Sequence, residues 1–331
     1  MGQAVEDPED AAQGGHVQDG VGQLQSPLGD EVKLANAQAG IDDGLEFEDG
    51  VLLLPDGRTL AWRWWGPAGA RPVLRLQGTP GSRLGRHPDT RVQRSLGVRF
   101  LMADRPGYGQ STRLPGRGIA QFADDLAALL DAHGLDRVPV MGGSGGGPHA
   151  LAMAACHPER VSAVSVVVGA APLVEEEIAK LVGVNAEGHA AAAKGWQNLY
   201  ELLARVRERI LGEEGMAGVL SDAPLKDRAI MNDPDWRRVT RASTTEALKP
   251  GAEGWTDESM ALHRDWDFDP AAIEAGVAWW HGDDDKNAPL TAARRAASRI
   301  PRVDLRVWHD EGHFASVVHE REIVEELLSR A

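Results

Sequence analysis

Cysteine is almost missing from this 331-residue chain: Cys156 is the only one. A lone thiol excludes an intramolecular disulfide framework and any multi-cysteine metal or iron–sulfur site; it reads instead as a small buried hydrophobe. No stretch approaches the ~18–20 uninterrupted apolar residues that a membrane span requires, so no membrane partner is expected. Basic residues are outnumbered, 35 Lys and Arg against 50 Asp and Glu, for a formal net charge of −15. That balance argues against a nucleic-acid partner, because neutralising phosphates takes a lysine and arginine surplus. No His-Glu-x-x-His or other clustered ligand set occurs, so no metal is expected.

The deficit of positive charge is local. Residues 1–50 hold twelve acidic residues against one base, Lys33, and so carry −11 of the total, leaving the rest near −4. Residues 1–43 are rich in Gly, Gln, Ala and Asp, a composition that buries too little apolar surface to offset chain entropy. They lack the positive start and apolar stretch of a secretory signal, and their acidity is wrong for a transit peptide. A mobile extension on a cytoplasmic protein is the expectation. A partner-binding or dimer-clasping arm is the alternative, which keeps a homodimer open.

From residue 44 the pattern changes. Val51–Leu54 and Thr59–Trp65 flank Asp56-Gly57 and read as a hairpin. Short apolar strands are expected at Val73–Gln77, Arg99–Ala103, Val138–Gly142, Val161–Val168, Val277–His281 and Val303–Trp308. Ile119, Phe122, Leu126, Leu129 and Leu130 recur at helical spacing. Gly146–Cys156, an Ala-rich segment near 288–299 and a final stretch with Val317, Val324 and Leu328 also read as helices. Strands alternating with helices imply an α/β fold with a mostly parallel sheet covered on both faces. No repeat of fixed period is visible.

The most informative segment is Gly142-Gly143-Ser144-Gly145-Gly146, a Gly-x-Ser-x-Gly placed where an apolar strand passes into a helix. A serine on so sharp a turn needs neighbours without Cβ atoms, so that the backbone folds tightly and the hydroxyl stands clear. The following helix N-terminus offers N–H groups and positive potential to an anion. A Gly-rich turn or phosphate cradle is the competing reading. A Walker loop, however, would end in Gly-Lys-Ser/Thr, and a dinucleotide fingerprint would normally open the first βα unit.

With that motif in place, residues 44–331 resemble the α/β-hydrolase superfamily. Three further segments match it: Asp104-Arg105-Pro106-Gly107-Tyr108-Gly109-Gln110-Ser111, His281-Gly282-Asp283-Asp284-Asp285 with Pro289, and Glu311-Gly312-His313-Phe314. The resemblance implies a catalytic core formed by 44–172 and 276–331, with a helical cap over 173–275. It also implies the order nucleophile, acid, base, with Ser144 as nucleophile. Two histidines follow the last strand. His313, in a loop before the final helix, is the expected base, whereas His309 at the strand end reads as locally satisfied or solvated. Asp283, Asp284 and Asp285 are adjacent, and their chemistry does not separate them. The family's spacing, three residues after the glycine and four before the proline, selects Asp285. After the preceding strand the chain reads Gly169-Ala170-Ala171-Pro172, without the carboxylate some relatives place there.

Oxyanion donors are expected from the backbone N–H of Gly145 and of Thr79, the latter in the loop Gln77-Gly78-Thr79-Pro80-Gly81-Ser82. Relatives usually carry histidine where Gln77 stands; Gln77 is expected to tie the loop down through its amide. Arg105 reads as an organiser of the pocket and not a reactant. In the cap, Trp196, Leu199, Tyr200, Leu203, Val206 and Ile210 share a helix face. That stripe reads as internal packing, with substrate lining as the alternative, and Trp236, Trp255 and Trp266 are equally ambiguous. His149 and His157 read as packing or capping residues.

These observations imply a cofactor-free serine hydrolase acting on a small-molecule carboxylic ester or related acyl substrate. An aminopeptidase acting on N-terminal proline is the rival on the same scaffold, with Glu175, Glu176 and Glu177 as candidates to hold a substrate ammonium. Dehalogenase and epoxide-hydrolase chemistry is disfavoured, because those relatives carry aspartate where Ser144 stands. A lyase or cofactor-free peroxidase stays open, and so does a non-catalytic ligand-binding protein of this fold.

Overall fold

The computed structural model describes residues 44–331; the extension expected over 1–43 lies outside them. Eight strands build one sheet: β1 (Phe47–Leu53), β2 (Thr59–Trp65), β3 (Arg71–Leu76), β4 (Val98–Ala103), β5 (Val138–Gly143), β6 (Val161–Val167), β7 (Gly276–Gly282) and β8 (Val303–Trp308). Their spatial order is β1-β2-β4-β3-β5-β6-β7-β8. β1 and β2 form the antiparallel hairpin, β2 also meets β4 antiparallel, and every other pairing is parallel. The expected strands are all present, with ends shifted by a few residues.

Two prolines sit in this sheet where their missing N–H does least harm. Pro72 is the second residue of β3, before that strand's pairing with β5 begins at Leu74. Pro139 lies in central β5, and the register with β6 slips between Val138 and Val140 around it.

Side chains alternate across the sheet, as the pleat requires. In β4, Leu101 and Ala103 join a layer with α2 (Gln121–Ala132), α3 (Gly146–Cys156) and α11 (Leu290–Ala297). Phe100 and Met102 join the opposite layer, where Ile323, Val324 and Leu327 of α12 (Ser316–Arg330) cover the sheet. A short helix, α1 (Thr90–Leu96), was not legible as an apolar stripe. It is marked by its ends instead, where Asp89 caps the Arg91 N–H and Gly97 closes at φ +63°.

Between β6 and β7 the chain runs through α4 (Glu175–Ile178), α5 (Gly183–Ala192), α6 (Trp196–Leu211), α7 (Gly215–Val219), α8 (Leu225–Asn232), α9 (Pro234–Ala247) and α10 (Glu253–Leu262). A third apolar cluster holds this insertion together: Leu199, Leu203, Val206 and Ile210 of α6 pack with Val219, Leu248 and Trp255, and with Tyr108 of the core.

The expectation of a buried cysteine is corrected, since Cys156 is exposed. It is the last residue of α3, where the helix leaves the core. Among the described residues no helix is long and apolar enough to cross a membrane.

Candidate active site

Because β3 and β5–β8 run parallel, their C-terminal ends share one edge of the sheet, the usual place for a ligand crevice in α/β sheets. The loops after β3, β5, β7 and β8 carry the residues singled out by sequence. Ser144 follows β5 directly, with φ +51°, a strained region for a residue with a side chain, at a cost of about 1–3 kcal/mol. The surroundings hold it there: its N–H donates to Val167 O (2.9 Å) and its carbonyl accepts from Gly147 and Ala170 N–H. A Cβ on Gly142 would collide with the Gly146 carbonyl, and one on Gly146 with the Leu76 carbonyl. The motif's outer glycines are thus required by close backbone approach.

Ser144, His313 and Asp285 form one hydrogen-bonded chain. His313 Nδ1 lies 2.8 Å from Asp285 Oδ2, and Nε2 lies 2.9 Å from Ser144 Oγ. A carboxylate only accepts, so Nδ1–H donates to Asp285 and Nε2 offers its lone pair to the Ser144 hydroxyl. Asp285 Oδ1 accepts from the Asn287 and Ala288 N–H groups at 2.8 and 2.9 Å.

Burial opposes charge on Asp285, but the His313 charge and hydrogen bond outweigh it and hold the carboxyl below its ordinary pKa. On His313, burial disfavours the charged form. The Asp285 charge, the hydrogen bond and the Asp227 charge together win and raise its pKa. Beneath this chain burial pushes His281 below its ordinary pKa; its Nε2–H donates to Ala288 O at 2.8 Å while Nδ1 accepts from Trp279 Nε1–H. Such an arrangement lets a hydroxyl pass its proton to an imidazole as the oxygen attacks a carbon centre.

The neighbouring candidates sit elsewhere. Asp283 accepts from exposed His309 (3.0 Å) and from the Asp310 N–H, and Asp284 pairs with Lys286. His149 is buried between the Ile119 carbonyl and Glu258, and His157 meets Asp124.

The loop after β3 passes over the serine. Thr79 Oγ1 occupies the space where a Cβ on Gly145 would sit, so the two expected donor residues touch. Both line the cavity, and neither backbone N–H donates to another protein group among the described residues. Gln77 Nε2–H donates to Ala103 O at 3.0 Å. Arg105 grips the same loop from below, donating to the Gln77 and Gly78 carbonyls at 2.5 and 2.9 Å and to Thr79 Oγ1. Arg105 is in turn paired at 2.6 Å with Glu258 on α10, both fully buried.

Sequence reasoning missed two residues. Glu258 is one; Asp227 on α8 is the other, accepting from the backbone N–H groups of His313 and Phe314 at 2.8 and 2.9 Å. A carboxylate inside an amphipathic helix carries no local mark of such a role, and only the burial of both side chains discloses it.

Ser144 and His313 open into a cavity of about 390 Å³. Its walls include Leu199, Leu203, Val206 and Ile210, so the α6 stripe both packs the insertion and faces the cavity. Trp236 and Trp255 also line it, whereas Trp266 stacks on Phe268 away from it. Trp196 and Tyr200 stack on each other and do not line it.

Comparison with known proteins agrees with this architecture. A putative carbamate hydrolase RutD from Caulobacter sp. (strain K31) is 27% identical over 265 residues, covering 76% of this chain and 87% of the relative. A 2-hydroxymuconate semialdehyde hydrolase from Pseudomonas putida is 26% identical over 267 residues, covering 78% and 88%. The solved enol-lactonase from Burkholderia xenovorans LB400 shares the fold, with TM-score 0.63, 18% identity and coverage of 84% and 98%. The family described as alpha/beta hydrolase fold matches residues 71–320, and the chain therefore belongs to the alpha/beta hydrolase fold family, as a hydrolase of that type.

Proposed function

We propose that this protein is a serine hydrolase that cleaves a carboxylic ester or related acyl bond through an acyl-enzyme. The observation that carries the reading is the chain from Ser144 through His313 to Asp285, with links of 2.9 and 2.8 Å, at the floor of a largely apolar cavity. Ser144 Oγ attacks the acyl carbon as its proton moves to His313 Nε2. The Thr79 and Gly145 N–H groups receive the oxyanion. The tetrahedral centre then collapses, and the leaving oxygen takes the proton from His313. Water, deprotonated by His313, attacks the acyl-serine, and the proton returns to Ser144 as the acid departs. Asp285 keeps His313 in the required tautomer and stabilises its charged form. The insertion over 173–275 serves as the cap that excludes water.

The make-up of the cavity wall favours an ester over an N-terminal proline substrate. No Asp or Glu lines the cavity among the described residues, so a substrate ammonium would meet no counter-charge. Of the three candidate glutamates, Glu175 and Glu176 are exposed, and Glu177 is spent on Arg295 at 2.7 Å and on the Val174 N–H.

The test compares Ser144→Ala with the unmodified protein on short-chain nitrophenyl esters, a carbamate and a prolyl-arylamide. Loss of ester turnover on the order of 10⁴–10⁶-fold is expected, together with loss of labelling by a fluorophosphonate probe. Unchanged turnover in purified Ser144→Ala would overturn the assignment. A correctly folded but inert and unlabelled wild type would return the protein to the class of ligand-binding members.

A further inference from the structure

The loop that carries His313 is held from two sides. From the core, Asp285 takes the ring, and the Asp284 N–H donates to Glu311 O at 3.0 Å. From the insertion, Asp227 of α8 accepts both the His313 N–H (Oδ2, 2.8 Å) and the Phe314 N–H (Oδ1, 2.9 Å). Among the described residues these two donors go to no backbone carbonyl, so their satisfaction depends on one carboxylate. The fit is close: Gly312 has no room for a Cβ because the Asp227 carboxylate fills that space. Two further contacts flank it, Lys226 with Glu311 at 3.0 Å and Trp236 edge-on to Phe314 at 5.2 Å. Asp227 itself is only 1% exposed, so this is an interior contact and not a surface pairing.

We propose that Asp227 is a positioning residue for His313, through which the insertion holds the base in line with Ser144. The proposal rests on the serine-hydrolase reading above. A bidentate carboxylate under two successive amides sets the height and tilt of the peptide that bears the imidazole. Displacing a base by about 1 Å is enough to cost on the order of 100-fold in rate. The charge also matters. Among the described residues, the charged and titratable groups that face His313 are Asp285 at the ring, His281 behind Asp285, and Asp227 below the backbone. Both carboxylates favour the imidazolium, so removing the Asp227 charge moves His313 towards titration at lower pH.

Asp227→Asn keeps the shape but leaves one acceptor oxygen and places an amide NH2 against a backbone N–H. In the full-length protein, kcat for a nitrophenyl ester is expected to fall about 10–100-fold with KM nearly unchanged, and the acid limb of kcat/KM to move to lower pH. His313 titration, followed by ¹⁵N NMR of the labelled imidazole, should shift the same way. That signal needs no turnover, so it tests Asp227 even if Ser144→Ala proves fully active and the hydrolase reading falls. A folded Asp227→Asn protein with wild-type kcat and an unmoved His313 titration overturns the proposal, as does a rise in KM alone. Should Asp227→Asn not fold, Asp227→Glu keeps the charge and both acceptors: kcat falls while the acid limb stays in place. An unchanged kcat there overturns it too.

Discussion

In the proposed reaction His313 must be neutral to accept the serine proton, yet the groups around it favour its charged form. Its pKa is raised above the ordinary 6.5, with burial opposing and the Asp285 and Asp227 carboxylates prevailing. The sign follows directly. Protonated His313 has no lone pair for Ser144, so activity is lost as pH falls through this raised value. The acid limb of kcat/KM is expected to have its midpoint above 6.5, read from initial rates between pH 5 and 9. A midpoint well below that value would mean that Asp285 does not act on His313 as the 2.8 Å contact requires. At this scale much of the site was legible, because Ser144 and its glycines announce a strained turn in plain sequence. The proposed acid was not separable by chemistry from its neighbours. Asp283, Asp284 and Asp285 differ only in which way the chain turns after β7, and that turn brings Asp285 alone to His313 while Asp283 takes His309.

Helices of the insertion define the far end of the cavity. Trp236 of α9 lines it and also lines a groove on the outside, bounded by Pro88, Arg91, Ile230 and Val317. Trp236 therefore borders both the cavity and that groove. Trp236→Leu is expected to shift the preferred acyl chain towards longer esters, with each methylene that finds room worth about 1–3 kcal/mol in kcat/KM. A nitrophenyl ester series by chain length reads this out; an unchanged optimum would show that acyl chains point elsewhere. The period of α6 was visible in sequence, but its dual role was not. The same 3.6-residue stripe serves for packing and for lining, and only the position of the neighbouring helices leaves part of it bare.

Core and insertion are joined through a buried ionic cluster. Glu258 on α10 meets Arg105 at 2.6 Å, His149 at 3.2 Å and Arg117 at 3.9 Å, all essentially without solvent. Burial works against the Glu258 charge, but Arg105, His149 and Arg117 outweigh it and keep its pKa below the ordinary 4.5. Its contribution to stability is thus complete above pH 4.5 and lost only as pH falls below that. Removing one partner strands the others: Glu258→Gln is expected to cost about 3–5 kcal/mol, measured by urea unfolding at pH 7. It should also lower kcat, since Arg105 holds the Gln77 and Gly78 carbonyls beside the proposed oxyanion donors. A neutral substitution on both counts would mean that the cluster neither stabilises the molecule nor aligns the loop.

By itself the sequence determined the alternation of strands and helices, the place of the insertion and the strained glycine-flanked turn that carries Ser144. Each is written in local rules: a period of two, a period of 3.6, and glycines where backbone must approach backbone. The tertiary structure decided which carboxylate reaches His313, where Arg105 finds its counter-charge, and that Asp227 reaches a loop 86 residues away. Such partners are chosen by how helices dock on the sheet edge. Docking depends on the summed burial of many side chains, and no short stretch of sequence records it.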